Sequence, residues 1–142
     1  MRPVYETEAH LLGEEEVAKK LEEWINNPLT TVVKTPPLAP YDYCIVKKGL
    51  ISGVVEIKVR SNPSDKYPTY MISLEKVSQC TSHANIIGCP FYVVVQWTDK
   101  LGRWKFDRDQ YTTGIGGRTD RNDVMDQEAV VYIPIKNFSF SS

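Results

Sequence analysis

The first apolar pattern in the chain has the period of an α-helix. Between Leu11 and Ile25 the apolar side chains recur every three or four residues, at Val17, Ala18, Leu21, Trp24 and Ile25. This spacing places them on one face of a helix. The run ends at Asn26-Asn27-Pro28, residues that do not continue a helix. We therefore predict an amphipathic helix that packs one face on a core.

The next three segments have the β-branched and apolar composition of strands. They are Leu29–Lys34, Asp42–Lys47 and Ile51–Arg60. Prolines between the first two segments predict a rigid loop. The second and third are joined by Lys48-Gly49-Leu50, and a short connection that contains glycine is typical of a β-hairpin.

The second half of the chain begins with another helical pattern, which runs from Met71 to about Ile87 and ends at Gly88. Phe91–Trp97 is almost continuously apolar, as in a strand buried on both faces, and a turn leads back into Arg103–Phe106.

The last part of the chain contains a polar segment followed by an apolar one. Tyr111–Gln127 is polar and rich in glycine and predicts a long surface loop, and Val130–Phe138 predicts a final strand interrupted by Pro134. Together the segments predict an α/β fold in which helices flank a mixed central β-sheet. The element order is α-β-β-β-α-β, followed by extra C-terminal strands.

Length and composition indicate one domain over residues 1–142, with a core over roughly 11–98 and a C-terminal extension over 99–142. A chain of 142 residues with 42% hydrophobic content can bury one core. Seventeen basic and eighteen acidic residues give a formal charge of −1, so no overall positive charge marks a nucleic-acid partner. Three cysteines without a CxxC pair, and no apolar run near the roughly 20 residues that span a bilayer, lead us to expect a cytoplasmic protein without membrane contact.

Two charged residues interrupt the apolar third strand. Glu56 and Lys58 project from one face, because side chains alternate along a strand, and the apolar residues between and around them fill the other face. A three-residue loop at Lys48-Gly49-Leu50 would place Asp42 directly opposite Glu56. Two carboxylates about 5 Å apart repel each other unless a cation lies between them, and a hard divalent ion suits that position. The pattern predicts a metal site, and a solvated ion pair is the alternative.

The predicted first helix contributes a third acid. At about 100° per residue, Glu14 lies in line with Val17, Leu21 and Ile25 on the buried stripe. Glutamate is rarely buried without a partner, so this placement favours a role in the site. A favourable interaction with the helix dipole near the helix start is the alternative.

These features resemble the PD-(D/E)XK nuclease superfamily, which includes many restriction enzymes, Holliday-junction resolvases and phage nucleases. The similarity lies in Tyr41-Asp42, in Glu56-Ile57-Lys58, in the leading acidic helix and in the element order, and it covers roughly residues 11–98. Tyr41 stands where the family usually has proline, and Pro40 comes one position earlier. The resemblance implies a restriction-endonuclease-like fold.

The resemblance also implies an activity and the residues that carry it. The implied activity is that of a Mg²⁺-dependent deoxyribonuclease, with Mn²⁺ able to substitute. It would act on DNA as a structure-selective or weakly sequence-specific endonuclease in DNA processing, recombination or repair, and a homodimer is compatible with it. Asp42 and Glu56 would bind the metal, with the Ile57 carbonyl and Glu14 as further ligands, and Lys58 would act on the attacking water. The alternative is a catalytically silent nuclease-like domain that binds DNA or protein.

Further polar residues are candidate DNA contacts. On the predicted second helix Ser73, Lys76 and Gln79 can face the site, and we select Lys76; a solvated helical charge is the alternative. Arg118 and Arg121 lie in the glycine-rich loop, which lacks the Gly-Lys-Ser/Thr ending of a phosphate-binding P-loop. We expect that loop to contact DNA, and an ordinary mobile connection is the alternative.

Overall fold

The computed structural model of the protein describes residues 8–117 and 127–141. Its helices are α1 (Glu8–Ile25) and α2 (Leu74–Ile87). The strands, in chain order, are β1 (Thr30–Lys34), β2 (Tyr43–Lys47), β3 (Leu50–Val59), β4 (Thr69–Ser73), β5 (Phe91–Gln96), β6 (Leu101–Lys105), β7 (Thr112–Gly117), β8 (Gln127–Pro134) and β9 (Ser139–Phe140). Neither described helix is long and apolar enough to cross a membrane.

The main sheet has the strand order β1-β2-β3-β5-β6-β9 within the described residues. Strands β3 and β5 pair in parallel and the other neighbours are antiparallel, so the sheet is mixed, as predicted. Alternate residues of β3 divide the core into two layers. Val55 and Ile57 pack with α1 in one layer, whereas Val54 packs with α2 in the other. The apolar run of β5 is buried on both faces because it lies between these layers.

A second sheet, with the order β4-β8-β7, lies against α2. The sequence prediction was wrong for two of its strands. The helix does not start at Met71 as predicted, because Tyr70 and Ile72 alternate into the core and Thr69–Ser73 pairs with β8 as a strand. The helix begins at Leu74 instead, and Ser73 caps it by accepting a hydrogen bond from the backbone N–H of Lys76.

Part of the predicted surface loop at Tyr111–Gln127 is also a strand. Thr112–Gly117 forms β7 and pairs with β8 at the edge of the second sheet. Its glycines have a packing reason: a Cβ at Gly114 would lie 3.0 Å from the Tyr132 ring, and a Cβ at Gly116 would lie 2.9 Å from Met71 Sδ. In a sequence, several glycines are typical of a loop. In β7 they instead leave room for side chains of the neighbouring strands.

The β2–β3 hairpin reaches the predicted register by a different route. The turn has two residues, Lys48 and Gly49, both with positive φ, and not the three predicted. This turn pairs Lys47 with Leu50. Without a further irregularity, strands paired from that point would differ by one residue from the register that we predicted. Ser52 is an extra residue that forms a β-bulge, so that Ile45 pairs with Gly53 and the following pairs regain the predicted register.

The close packing around Gly102 of β6 predicts the effect of a single methyl group. A Cβ at Gly102 would lie 2.8 Å from the Trp97 ring and 3.0 Å from the Phe140 ring. We expect Gly102→Ala to destabilise the protein by about 1–3 kcal/mol, because the buried rings must move. Gly13→Ala is the matched control: Gly13 lies inside α1 with its nearest contact at 3.9 Å, so alanine should stabilise by up to about 1 kcal/mol. Urea unfolding measures both, and a Gly102→Ala variant as stable as the parent would contradict the packing.

Candidate active site

The acidic pair of the candidate site comes from the two strands of the hairpin. Glu56 lies on β3, and Asp42 directly precedes β2. Tyr43 pairs with Val55, and continuing this register by one residue places Asp42 opposite Glu56. The Ile57 N–H donates a hydrogen bond to Asp42 Oδ2 at 3.3 Å, which fixes the Asp42 carboxylate against β3.

The segment before Asp42 is held by β1. The backbone N–H of Thr35 donates to the Asp42 carbonyl at 2.9 Å, and the Thr35 hydroxyl donates to the Tyr41 carbonyl. These bonds continue the β1–β2 pairing beyond Lys34, where the regular strands end. Asp42 is therefore held on both sides, by a backbone hydrogen bond from Thr35 and by the hydrogen bond from the Ile57 N–H to its carboxylate.

The Glu56 carboxylate is buried, at 0% exposure, and two lysines flank it. Lys58 Nζ lies 3.7 Å from Oε1, and Lys76 Nζ lies 3.1 Å from Oε2. The Lys76 ammonium also donates to the Pro40 carbonyl at 2.8 Å. The contacts between Glu56 and the lysines are ion pairs, and the 3.1 Å contact with Lys76 is short enough for a hydrogen bond. An ionised carboxylate in this position is costly.

The surroundings shift the acid–base properties of both partners. Burial, followed by the neighbouring Asp42 carboxylate, raises the pKa of Glu56 to about 8, although Lys58 and Lys76 oppose the rise. Burial acts to lower the pKa of Lys76, but attraction to Glu56 and Asp42 outweighs it and the pKa is raised. Glu56 therefore holds its proton more tightly than an exposed glutamate does.

The donor set fits a hard divalent cation. Asp42 and Glu56 face each other from neighbouring strands, and no backbone N–H of the described residues occupies either Glu56 oxygen. Carboxylate oxygens are the ligands that Mg²⁺ and Mn²⁺ prefer. A cation between the two groups would also remove the repulsion that raises the pKa of Glu56.

Glu14 occupies a different place from the one the sequence predicted. Its side chain turns inward and is largely buried, but Oε2 lies 4.0 Å from Lys34 Nζ, and α1 packs on the face of β3 opposite to Glu56. The described residues contain no group of three or more His, Cys, Asp or Glu side chains placed to hold a metal ion. The structure thus brings Asp42, Glu56 and Lys58 together but does not add Glu14 to them.

Of the other candidate residues, Lys76 lies beside Glu56. Ser73 accepts a capping hydrogen bond from the Lys76 N–H, and Gln79 donates a hydrogen bond to Glu75. Arg118 and Arg121 lie outside the described residues.

The sequence analysis missed one neighbour of the site, Arg60. Its guanidinium donates to the Tyr70 hydroxyl at 2.9 Å. Arg60 continues the alternation of Glu56 and Lys58 along the chain. That periodicity was the signal available in the sequence.

Comparisons with known proteins bear on the family and on the fold. A family model described as phage putative PDDEXK endonuclease matches residues 1–140. The fold is similar to that of Archaeoglobus fulgidus Hjc, a Holliday junction resolvase from an archaeal hyperthermophile. The TM-score is 0.55 and the identity is 16%, over 85% of this chain and 87% of that one. No curated protein matches the sequence.

The burial of Glu56 predicts a pH-dependent stability. Its pKa of about 8 in the folded protein exceeds the ordinary value of 4.5, so the folded state binds the proton more tightly than the unfolded state. The stability of the metal-free protein should therefore fall as the pH rises from about 4.5 to 8. At pH 9 Glu56→Gln, which removes the charge and keeps an acceptor for Lys76, should be more stable than the parent by about 1–3 kcal/mol.

Urea unfolding in EDTA at pH 4 and pH 9 tests this expectation. At pH 4 the parent and Glu56→Gln should differ little, because Glu56 is protonated in the parent. Glu23→Gln, on the exposed side of α1, is the control and should show no such dependence. The same stability difference at both pH values would contradict the argument.

Proposed function

The chain belongs to the phage putative PDDEXK endonuclease family, and from that premise we propose that it is a metal-dependent deoxyribonuclease whose active site contains Asp42, Glu56 and Lys58. One observation carries the proposal. A fully buried glutamate, flanked by two lysine ion pairs, faces a second carboxylate, an arrangement in which the ionised form costs folding free energy. Strongly perturbed carboxylates of this kind concentrate at functional sites.

Asp42 and Glu56 would hold the metal ion, with Mg²⁺ as the natural choice and Mn²⁺ as a substitute. The bound ion supplies polarisation of the phosphate and a lowered pKa of a coordinated water. The hairpin register sets the two residues opposite each other, and the hydrogen bond from the Ile57 N–H holds the Asp42 carboxylate against β3. The geometry leaves Glu14 out of this set, so the proposal uses two carboxylates from the chain.

The two lysines have different environments and therefore different proposed roles. Lys58 is 33% exposed, so its ammonium can reach both Glu56 and a phosphate or water that enters from solvent. A positive charge there stabilises the negative charge that develops on the phosphate during hydrolysis. Lys76 is 18% exposed and is tied to the Pro40 carbonyl. We assign Lys76 to positioning the Glu56 carboxylate and not to contact with the DNA backbone.

We further propose that the substrate is DNA and that cleavage is structure-selective or weakly sequence-specific, as in DNA processing, recombination or repair. The family description names an endonuclease, and the Archaeoglobus protein of similar fold is a Holliday junction resolvase. Selectivity of this kind would depend on the shape of the DNA around the site more than on its base sequence.

Loss of either carboxylate should abolish cleavage. We expect Asp42→Asn and Glu56→Gln to reduce Mg²⁺-dependent cleavage to background, because each removes a charged metal ligand at little change in volume. The assay compares supercoiled plasmid, single-stranded, flap and four-way-junction DNA, with EDTA as the metal-free control and Glu23→Gln as the control variant. Cleavage at the parent rate by both site variants would rule out this assignment.

Replacement of Lys58 separates catalysis from binding. We expect Lys58→Ala to lower the single-turnover cleavage rate by about 10²-fold or more, because the lost charge acts on the transition state. DNA affinity, measured with Ca²⁺ in place of Mg²⁺, should change little. Lys19→Ala, an exposed lysine on α1, is the control. If Lys58→Ala cleaves saturating DNA at the parent rate, Lys58 has no catalytic role.

A further inference from the structure

A pocket of about 500 Å³ lies beyond the end of the strand that carries Glu56 and Lys58. It forms where the residues after β3 and β5 meet the second sheet. We call it the aromatic pocket, and the lining residues that matter here are Arg60, Tyr67, Tyr70, Met71, Trp97 and Tyr132. None of the residues assigned to metal binding or catalysis lines it.

The aromatic pocket has a rigid floor and an exposed rim. Tyr70 and Trp97 are buried, and their rings meet edge to face at a centroid distance of 6.1 Å. Tyr67 stands at the rim with 58% of its surface exposed, and Met71 beside it is also exposed. Exposed apolar side chains gathered around a concave surface are typical of a binding site.

Arg60 links the aromatic pocket to the candidate active site. It follows Lys58 by two residues, about 7 Å along a strand, and the Arg60 N–H bonds to the Gln96 carbonyl, which continues the pairing of β3 with β5. Its guanidinium donates to the Tyr70 hydroxyl at 2.9 Å and lies 5.1 Å from the centre of the Tyr70 ring. Burial raises the pKa of Tyr70 to about 12, although the neighbouring Arg60 guanidinium opposes the rise.

We propose that the aromatic pocket binds one unstacked base of the DNA substrate beside the scissile phosphate. The inference rests on the proposed function and specifies its substrate: DNA with an unpaired nucleotide next to the cleavage site. Bases stack on aromatic side chains and on guanidinium groups whatever their sequence. A base inside an intact duplex is already stacked on its neighbours and cannot enter the pocket without leaving the helix.

The charge of Arg60 favours a nucleotide over an apolar peptide. A guanidinium has five N–H donors, and the structure assigns one Arg60 nitrogen to Tyr70. A nucleotide brings both a ring for the tyrosines and a phosphate for the guanidinium. The side chains of an apolar peptide would offer no acceptor to the remaining guanidinium donors.

The test uses the full chain with Ca²⁺ in place of Mg²⁺ and two DNAs of equal length. One is a flap substrate with 2-aminopurine at the unpaired position next to the junction, and the other is a blunt duplex. Binding of the parent should quench the 2-aminopurine fluorescence, because this base analogue loses emission when it stacks on a ring. Tyr67→Ala should abolish most of the quenching and weaken flap binding roughly 5- to 100-fold, with duplex binding unchanged.

Two variants serve as controls for the ring. Tyr67→Phe retains the ring and should behave like the parent. Lys66→Ala removes a charge whose Nζ lies 5.4 Å from the centre of the Tyr67 ring, and it should affect flap and duplex equally. Thermal unfolding confirms that each variant is folded, which we expect because Tyr67 is exposed.

The outcomes separate this inference from the proposed function. Unchanged quenching in Tyr67→Ala, or an equal loss of affinity for flap and duplex, would overturn the aromatic pocket as a base site while cleavage in Mg²⁺ stands. Quenching by a parent protein that cleaves no DNA in Mg²⁺ would support the pocket and contradict the nuclease. A parent protein that binds neither DNA would overturn both.

Discussion

A carboxylate without solvent contact needs compensation from nearby charges, and at Glu56 this comes from two lysines on different elements. Lys58 belongs to the same strand, whereas Lys76 belongs to α2 and also binds the Pro40 carbonyl. The Glu56 carboxylate therefore connects β3, the second helix and the loop before Asp42. If one of these three segments moved away from the others, the buried Glu56 charge would have fewer partners. The Glu56 carboxylate therefore helps to determine how the three segments pack against each other.

The position of Asp42 depends on an irregularity elsewhere in the hairpin. The two-residue turn at Lys48-Gly49 fits the twist of the strands, but without correction it would move Asp42 out of register with Glu56. The bulge at Ser52 supplies that correction. Turn and bulge together give both a favourable hairpin geometry and an acidic pair on one face, an outcome that neither achieves alone.

Local patterns in the sequence predict the elements whose partners lie close in the chain. The stripe from Val17 to Ile25 gives α1, and the alternation around Glu56 and Lys58 identifies the polar row on β3. The sequence analysis missed β4 and β7 because each is a strand only through its pairing with β8. The residues before Leu74 fit a helical period, and the glycines of β7 are typical of a loop, so neither pattern indicates a strand partner.

The candidate site was predictable to the same extent as the fold. Asp42, Glu56 and Lys58 follow from strand alternation and hairpin pairing, which are local. The facing of Glu14 on its helix was predicted, but its pairing with Lys34 was not, because a helical wheel does not say which face of the sheet the helix covers. The ring environment of Arg60 depends on β4 and on Trp97, distant segments that only the folded chain brings together.

The pairing of β8 with β4 has a consequence for the order in which the protein folds. Tyr70 pairs with Ile133, so the second sheet closes only after most of the chain has been synthesised. Until then the apolar faces of β4 and α2 are uncovered, and contacts between distant segments form slowly. On the ribosome the hairpin with Asp42 and Glu56 can form early, but the wall of the aromatic pocket arrives with the C-terminal strands. The acidic pair would thus exist in the nascent chain before the surface that we propose selects its DNA.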